Sequence, residues 1–194
     1  MNNNNKKKGF TLIEIMVVLA ISVLIIGVVY TFYNTNNRAL STAEVKSTLQ
    51  TEGNAIQKEL LTIGTQAKGI VAIDGNVAAQ YSDAGEVDSF TLQVYDENGK
   101  TTNYIFELTG SANKAGAKQL KIYKKGNSAG ATVKSENVKS IEVKPLDLTS
   151  ASGNPDIKTA SGIQVTFNLY IQKGFNKTEY PVTTIVKFRN KDFK

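Results

Sequence analysis

The sequence predicts an α+β protein in which one long amino-terminal helix packs, by its second half, on an antiparallel β-sheet. Three observations carry that expectation. From Phe10 to Phe32 there are 23 residues with one charged side chain, Glu14. Farther along, Val45, Leu49, Glu52, Ile56, Leu60, Ile63 and Ala67 recur at steps of three and four, which marks one face of a helix. Beyond Gly69, apolar residues alternate with polar ones in short runs divided by Gly, Asn, Ser and Pro, as half-buried strands do.

Residues 1–9 read as a polar, Asn-rich leader ending in Lys6-Lys7-Lys8-Gly9. The segment 10–33 follows. A helix of 23 residues rises about 34 Å, a little more than the roughly 30 Å of a bilayer's hydrocarbon core. It can therefore span a membrane. The lysines before it keep the amino terminus cytoplasmic, so everything after Tyr33 lies outside, and Tyr30, Phe32 and Tyr33 suit an outer aromatic belt. A carboxylate in such a segment costs a few kcal/mol and marks a function. If the chain is cut after Gly9, the new α-amino group on Phe10 is a cation four positions from Glu14, able to meet a neighbouring chain's glutamate.

The helix is expected to continue through 34–68, from about Phe10 to about Lys68 in all. Asn34 to Asn37 is a patch of poor helix formers where a bend or local melting is expected, and Gly53 and Gly64 each weaken the helix by about 1 kcal/mol relative to Ala. The amphipathic second half needs a surface to cover. Residues 69–194 are expected to supply it as a β-rich globular domain.

Within that domain Gly69–Ile73 is a candidate strand and Gly75–Asp88 an irregular loop. Phe90, Leu92 and Val94 alternate, as do Tyr104, Phe106 and Leu108, and Asn98-Gly99 between them is a strong hairpin signal. Ser111–Gly116 reads as a connection, Lys118–Lys124 as a strand around Leu120 and Ile122, and Lys125–Gly130 as a turn. Val138–Val143 is a strand ended by Pro145. Ser150–Ser161 is a long loop. Ile163, Val165, Phe167, Leu169 and Ile171 make the clearest strand, joined by the Lys173–Asn176 turn to a partner from about Tyr180 to Arg189. Such strands form an antiparallel sheet with one apolar face, and the helical stripe is the available cover.

Composition limits the chemistry. There is no His and no Cys among the 194 residues, which removes the commonest general base, most zinc ligands and thiol nucleophiles. No Gly-x-Ser-x-Gly, phosphate loop or dinucleotide fingerprint occurs, and Asp96-Glu97 sits beside a turn glycine. The chain is read as non-enzymatic and without cofactor. Asp147 and Asp156 flank a loop, but their spacing matches no known calcium loop. The net charge is +6; without the three leader lysines, 20 of the 23 basic side chains face 17 acidic ones, a mildly basic balance that is weak evidence for nucleic acid. Lys118, Lys121, Lys124 and Lys125 cluster with Tyr123. The cluster is read first as the polar face of a half-exposed strand and second as a DNA contact.

The run Lys6-Lys7-Lys8-Gly9-Phe10-Thr11-Leu12-Ile13-Glu14, with the apolar residues after it, resembles the class III leader and amino-terminal helix of type IV pilins and of the pseudopilins of type II secretion and competence systems. The resemblance covers about the first 30 residues. It implies cleavage between Gly9 and Phe10 by a prepilin peptidase, N-methylation of Phe10, and a meeting of Glu14 with the Phe10 amine of an adjacent subunit in a filament. It also implies a pilin-like fold and a precursor held in the cytoplasmic membrane before assembly outside the cell. Many Gram-negative pilins close their carboxy-terminal region with a disulfide; the lack of cysteine departs from that and leans towards a Gram-positive source. Thr183–Asn190 is similar to the last strand of minor pilins and J-type pseudopilins. No Leu-Pro-x-Thr-Gly sorting signal is present.

The expected function is thus a structural subunit, a minor pilin of a type IV pilus. A pseudopilin of secretion or competence shares the strong features, and a monomeric membrane-anchored binding module is the third reading. Expected partners are the peptidase, other pilin subunits and the membrane, with DNA as the remaining alternative.

Overall fold

The computed structural model describes residues 9–74, 85–95, 99–110, 116–148, 157–174 and 176–190. Lys6–Lys8, Asp96–Asn98, Asp156 and most of the expected loops at 75–88, 111–116 and 150–161 lie outside them. The chain forms two compact units, one ending at Glu44 and one spanning Val45–Lys194. Helix α1, Leu12–Thr65, supplies most of the first and opens the second.

Helical structure runs unbroken through Asn34–Asn37, without the local melting that was one expectation there. Each poor helix former costs only a few tenths of a kcal/mol, and a helix already nucleated gains a bond for every residue added. The Thr31 and Thr35 hydroxyls donate to the Gly27 and Thr31 carbonyls at 2.9 Å, so they compete for no other partner. The helix stops three residues short of Lys68. Gln66 makes the turn, its N–H donating to the Ile63 carbonyl at 3.2 Å, and Ala67 already pairs with Val94.

In the first unit, every large apolar side chain from Phe10 to Phe32 is exposed. In the second, Val45, Leu49, Ile56, Leu60 and Ile63 are buried, as the periodicity predicts. Burying each such side chain contributes about 1.5–3 kcal/mol. Beneath them lies an antiparallel sheet of β1 (Ala67–Ile73), β2 (Gly85–Val87), β3 (Ser89–Tyr95), β4 (Thr101–Thr109), β5 (Lys118–Lys124), β6 (Thr132–Leu146), β7 (Gly162–Lys173) and β8 (Asn176–Lys187). The order is β1-β3-β4-β5-β6-β7-β8, with β2 paired to β6. Phe90 and Phe106, directly opposite in β3 and β4, stack with ring centres 4.6 Å apart, and Phe167 of β7 is fully buried in the same core. A short 3-10 turn, Ile157–Thr159, adds Ile157 to that core.

Four expectations need correction. Gly85–Val87, read as loop, is a strand, because β5 pairs with β6 only as far as Val138 and leaves the edge at Ile141–Val143 for β2. β6 begins at Thr132 and passes through Pro145 to Leu146. Pro145 lies beyond the last residue paired with β2, so among the described residues it has a ladder neighbour only in β7, and the missing N–H is tolerated. β8 starts at Asn176 and ends at Lys187, because the turn at Gly174 (φ 62°) sends the chain straight back along β7.

The fourth concerns Gly53 and Gly64, which are buried contact points as well as weak helix formers. A Cβ on Gly53 would lie 2.6 Å from Val182 Cγ2, and one on Gly64 would lie 2.6 Å from Val186 Cγ1. Only glycine lets the helix come that close to β8. Between the two contacts the helix advances about 16 Å and the strand about 13 Å, so the two run in the same direction.

Glu52, the polar member of the apolar face, accepts hydrogen bonds from Ser135 Oγ at 2.6 Å and Asn137 Nδ2 at 2.9 Å on β6. One helical turn pair further, Glu59 meets Lys134 at 3.3 Å. The helix is therefore held by glycine contacts on its β8 side and by carboxylates on its β6 side.

Candidate functional site

The segment expected to carry a processing signal is Gly9 to Glu14. Gly9 has nothing within 4 Å of the position of an added Cβ, and Phe10 is 84% exposed. Among the described residues nothing covers the peptide bond between them. Thr11 precedes the first helical residue, and its N–H and its hydroxyl both donate to Glu14 Oε2, at 2.8 and 2.9 Å. The Glu14 N–H points back to Thr11 Oγ1 at 3.4 Å. This is a capping box, which satisfies donors that the first turn of any helix leaves unpaired.

The box is legible in the sequence as Thr-x-x-Glu directly before an apolar run. It changes what Glu14 does in a single chain. The carboxylate caps its own helix through one oxygen, while Oε1 takes neither Thr11 bond. Around it Phe10, Ile13, Val17 and Val18 border a shallow apolar recess. One oxygen ties the helix start, and the other can receive a cation from outside.

Downstream, α1 is the one helix among the described residues that is long and apolar enough to cross a membrane, and none of its most apolar window is buried. Ser22 and Thr31 hide their polarity by bonding back to the carbonyls of Val18 and Gly27. Such hydroxyls place little cost on a segment surrounded by hydrocarbon.

The other candidates are committed within the fold. Lys118 pairs with Asp88 at 2.8 Å, Lys121 stands opposite Glu107, and Lys124 lies 5.5 Å over the Tyr104 ring. Tyr123 donates its hydroxyl to Glu107 at 2.7 Å, a bond that pushes its pKa up to about 12. Lys118, Tyr123 and Lys124 thus have partners in their own chain, Lys121 has Glu107 as its neighbour across the ladder, and Lys125 is exposed at the turn. Asp147, at φ 52°, accepts from Ser161 Oγ. No group of three metal-ligating side chains occurs among the described residues.

The family model for the prokaryotic N-terminal methylation motif matches residues 4–30. This is the class III prepilin leader, and it supports a type IV pilin or pseudopilin family for the chain. No curated protein and no solved structure matches it. The long helix on an antiparallel sheet is a pilin-like α+β fold. The motif points to a structural subunit rather than an enzyme family and, with the apolar helix, supports membrane anchoring of the precursor. It is consistent with processing by a prepilin peptidase and assembly with other pilins.

Proposed function

We propose that the chain is a minor pilin of a type IV pilus, held in the cytoplasmic membrane until the leader is removed between Gly9 and Phe10 and then drawn into an extracellular filament. N-methylation falls on Phe10. The observation that carries this reading is the conjunction of an open Gly9–Phe10 bond, an entirely exposed apolar helix surface, and a carboxylate four residues from the cut with one oxygen outside its cap.

Cleavage creates a cation at Phe10. In the filament Glu14 Oε1 accepts from the Phe10 amine of a neighbour while Oε2 keeps its Thr11 bonds. At about 4 Å and an effective dielectric near 20 that attraction is worth about 4 kcal/mol, enough to set register between neighbours and small enough to permit disassembly. Lateral contacts between apolar helices replace lipid contacts as the subunit leaves the membrane. The larger, loop-rich second unit favours a minor over a bulk subunit.

Mass spectrometry of protein recovered from sheared filaments tests the reading. The expected species begins at methylated Phe10. Glu14→Ala should leave insertion and cleavage intact and reduce filament incorporation severely; normal incorporation would remove the pairing role. Protein that retains Met1–Gly9 and never enters sheared fibres would leave only a tethered binding module. A pseudopilin would show the same cleavage, with the product in secretion or uptake complexes instead of extended pili.

A further inference from the structure

Among the described residues β8 pairs only with β7, which leaves its other edge open. The direction of each backbone group follows from one bond. Phe188 N donates to the Ser161 carbonyl at 2.9 Å, just beyond the Gly162–Lys187 pair. Bonded and non-bonded residues alternate in an antiparallel ladder. Val186, Thr184 and Val182 therefore turn their N–H and C=O groups towards β7. Lys187, Ile185 and Thr183 turn theirs to the open side, and so does Pro181, where a residue without N–H fits. Pairing on that side lacks one donor at Pro181 and, among the described residues, meets no other strand from Thr183 to Lys187.

The surroundings of this edge are unusual for the unit. Among the described residues from Val45 onward the exposed large apolar side chains are Leu61 at 38%, Val133 at 42% and Ile185 at 56%. Ile185 is on the outer face of β8. Leu61 lies on the helix, and its position follows from the 100° step per residue. Glu52 and Glu59 reach β6 and Gly53 and Gly64 touch β8, so Gln57 and Leu61 come next around the helix and overhang the open side. One apolar side chain thus flanks the edge on each face.

The border is basic. Lys177, Lys187 and Arg189 are exposed, whereas the acidic side chain of the strand, Glu179, is engaged by Lys139 at 3.2 Å. Self-pairing of two β8 edges would bring these cations together.

We propose that the Thr183–Lys187 edge is a strand-addition site for an extended segment of a partner protein, uncharged and alternating in its middle and carrying Asp or Glu at its ends. Main-chain bonds give such a complex its affinity and the flanking side chains its selectivity. One row of the added side chains lies against Gln57 and Leu61, the other beside Ile185, and the acidic ends meet Lys177 and Lys187. This inference does not depend on the filament reading.

The test uses the full chain in detergent micelles and two fluorescein-labelled peptides, Glu-Asp-Thr-Val-Thr-Val-Thr-Asp-Glu and the same peptide with lysine at all four acidic positions. The acidic peptide should give a saturable rise in anisotropy, and the basic one should bind about tenfold more weakly or not at all. Ile185→Pro removes an outward N–H without touching the β7 ladder; it should weaken the acidic peptide by about tenfold or more with an unchanged unfolding midpoint. Lys177→Glu with Lys187→Glu should reverse the preference between the peptides, which serves if the proline variant does not fold. Equal binding by Ile185→Pro, or no saturable binding of the acidic peptide, overturns the proposal. A concentration-dependent dimer abolished by Ile185→Pro, without peptide binding, also overturns it and gives the edge to a second copy.

Discussion

The two stretches of α1 use the same residue types to opposite ends. Between Phe10 and Phe32 every large apolar side chain is exposed, whereas from Val45 to Ile63 the apolar stripe is buried against strands. The difference lies in arrangement. The first stretch is apolar on all sides and demands an apolar medium, such as lipid or the helices of neighbours; the second is apolar on one side and finds its partner within its own chain. A helix read only by its hydrophobicity would have been assigned one environment throughout.

That contrast can be broken by cutting side chains on each side of it. Leu60→Ala should destabilise the second unit by about 2–5 kcal/mol, because the void is enclosed, while Leu24→Ala should leave its unfolding midpoint unchanged. Since the chain has no Trp, tyrosine fluorescence in urea with detergent present is the measurement. Glycines sharpen the same point. Gly64→Leu forces the helix off Val186 and should cost about 1–3 kcal/mol or more, whereas Gly27→Leu, with nothing within 4 Å of the added carbon, should be silent in that assay.

Smaller effects attach to the polar groups beneath the helix. Glu52→Ala leaves Ser135 and Asn137 without their acceptor and should cost about 1–3 kcal/mol, seen as faster amide exchange in the Val45–Thr65 stretch. Thr184 lies between the two valines that meet the glycines, is 4% exposed, and its hydroxyl has no hydrogen-bond partner among the described residues. Thr184→Val should therefore raise stability, by about 1 kcal/mol, as a higher urea midpoint.

Much of this was written in local patterns. The 3–4 spacing of Val45 to Ile63 located the buried stripe, and the alternations at Phe90, Phe106 and Phe167 located three central strands. What escaped depended on distant neighbours. Gly53 and Gly64 look like weak points until Val182 and Val186, over a hundred residues later, show why a side chain is forbidden there. Gly85–Val87 is too short to display a period, and its pairing exists only because β5 ends early. Pro145 stops a strand by rule and here does not, since what decides is the neighbour it lacks. Glu52 was visible as an anomaly, but its donors, Ser135 and Asn137, could not be named from its own surroundings. At the amino terminus the reverse holds: the Thr11–Glu14 cap is local and legible as Thr-x-x-Glu.

The sheet order has a consequence for how the molecule is made. From β4 to β8 each strand lies beside the one synthesised just before it, so most of the sheet can zip up hairpin by hairpin with little search through the chain. With no cysteine in the sequence, that growth waits on no oxidant. β2 alone must wait for β6, and its docking is the step that closes the sheet.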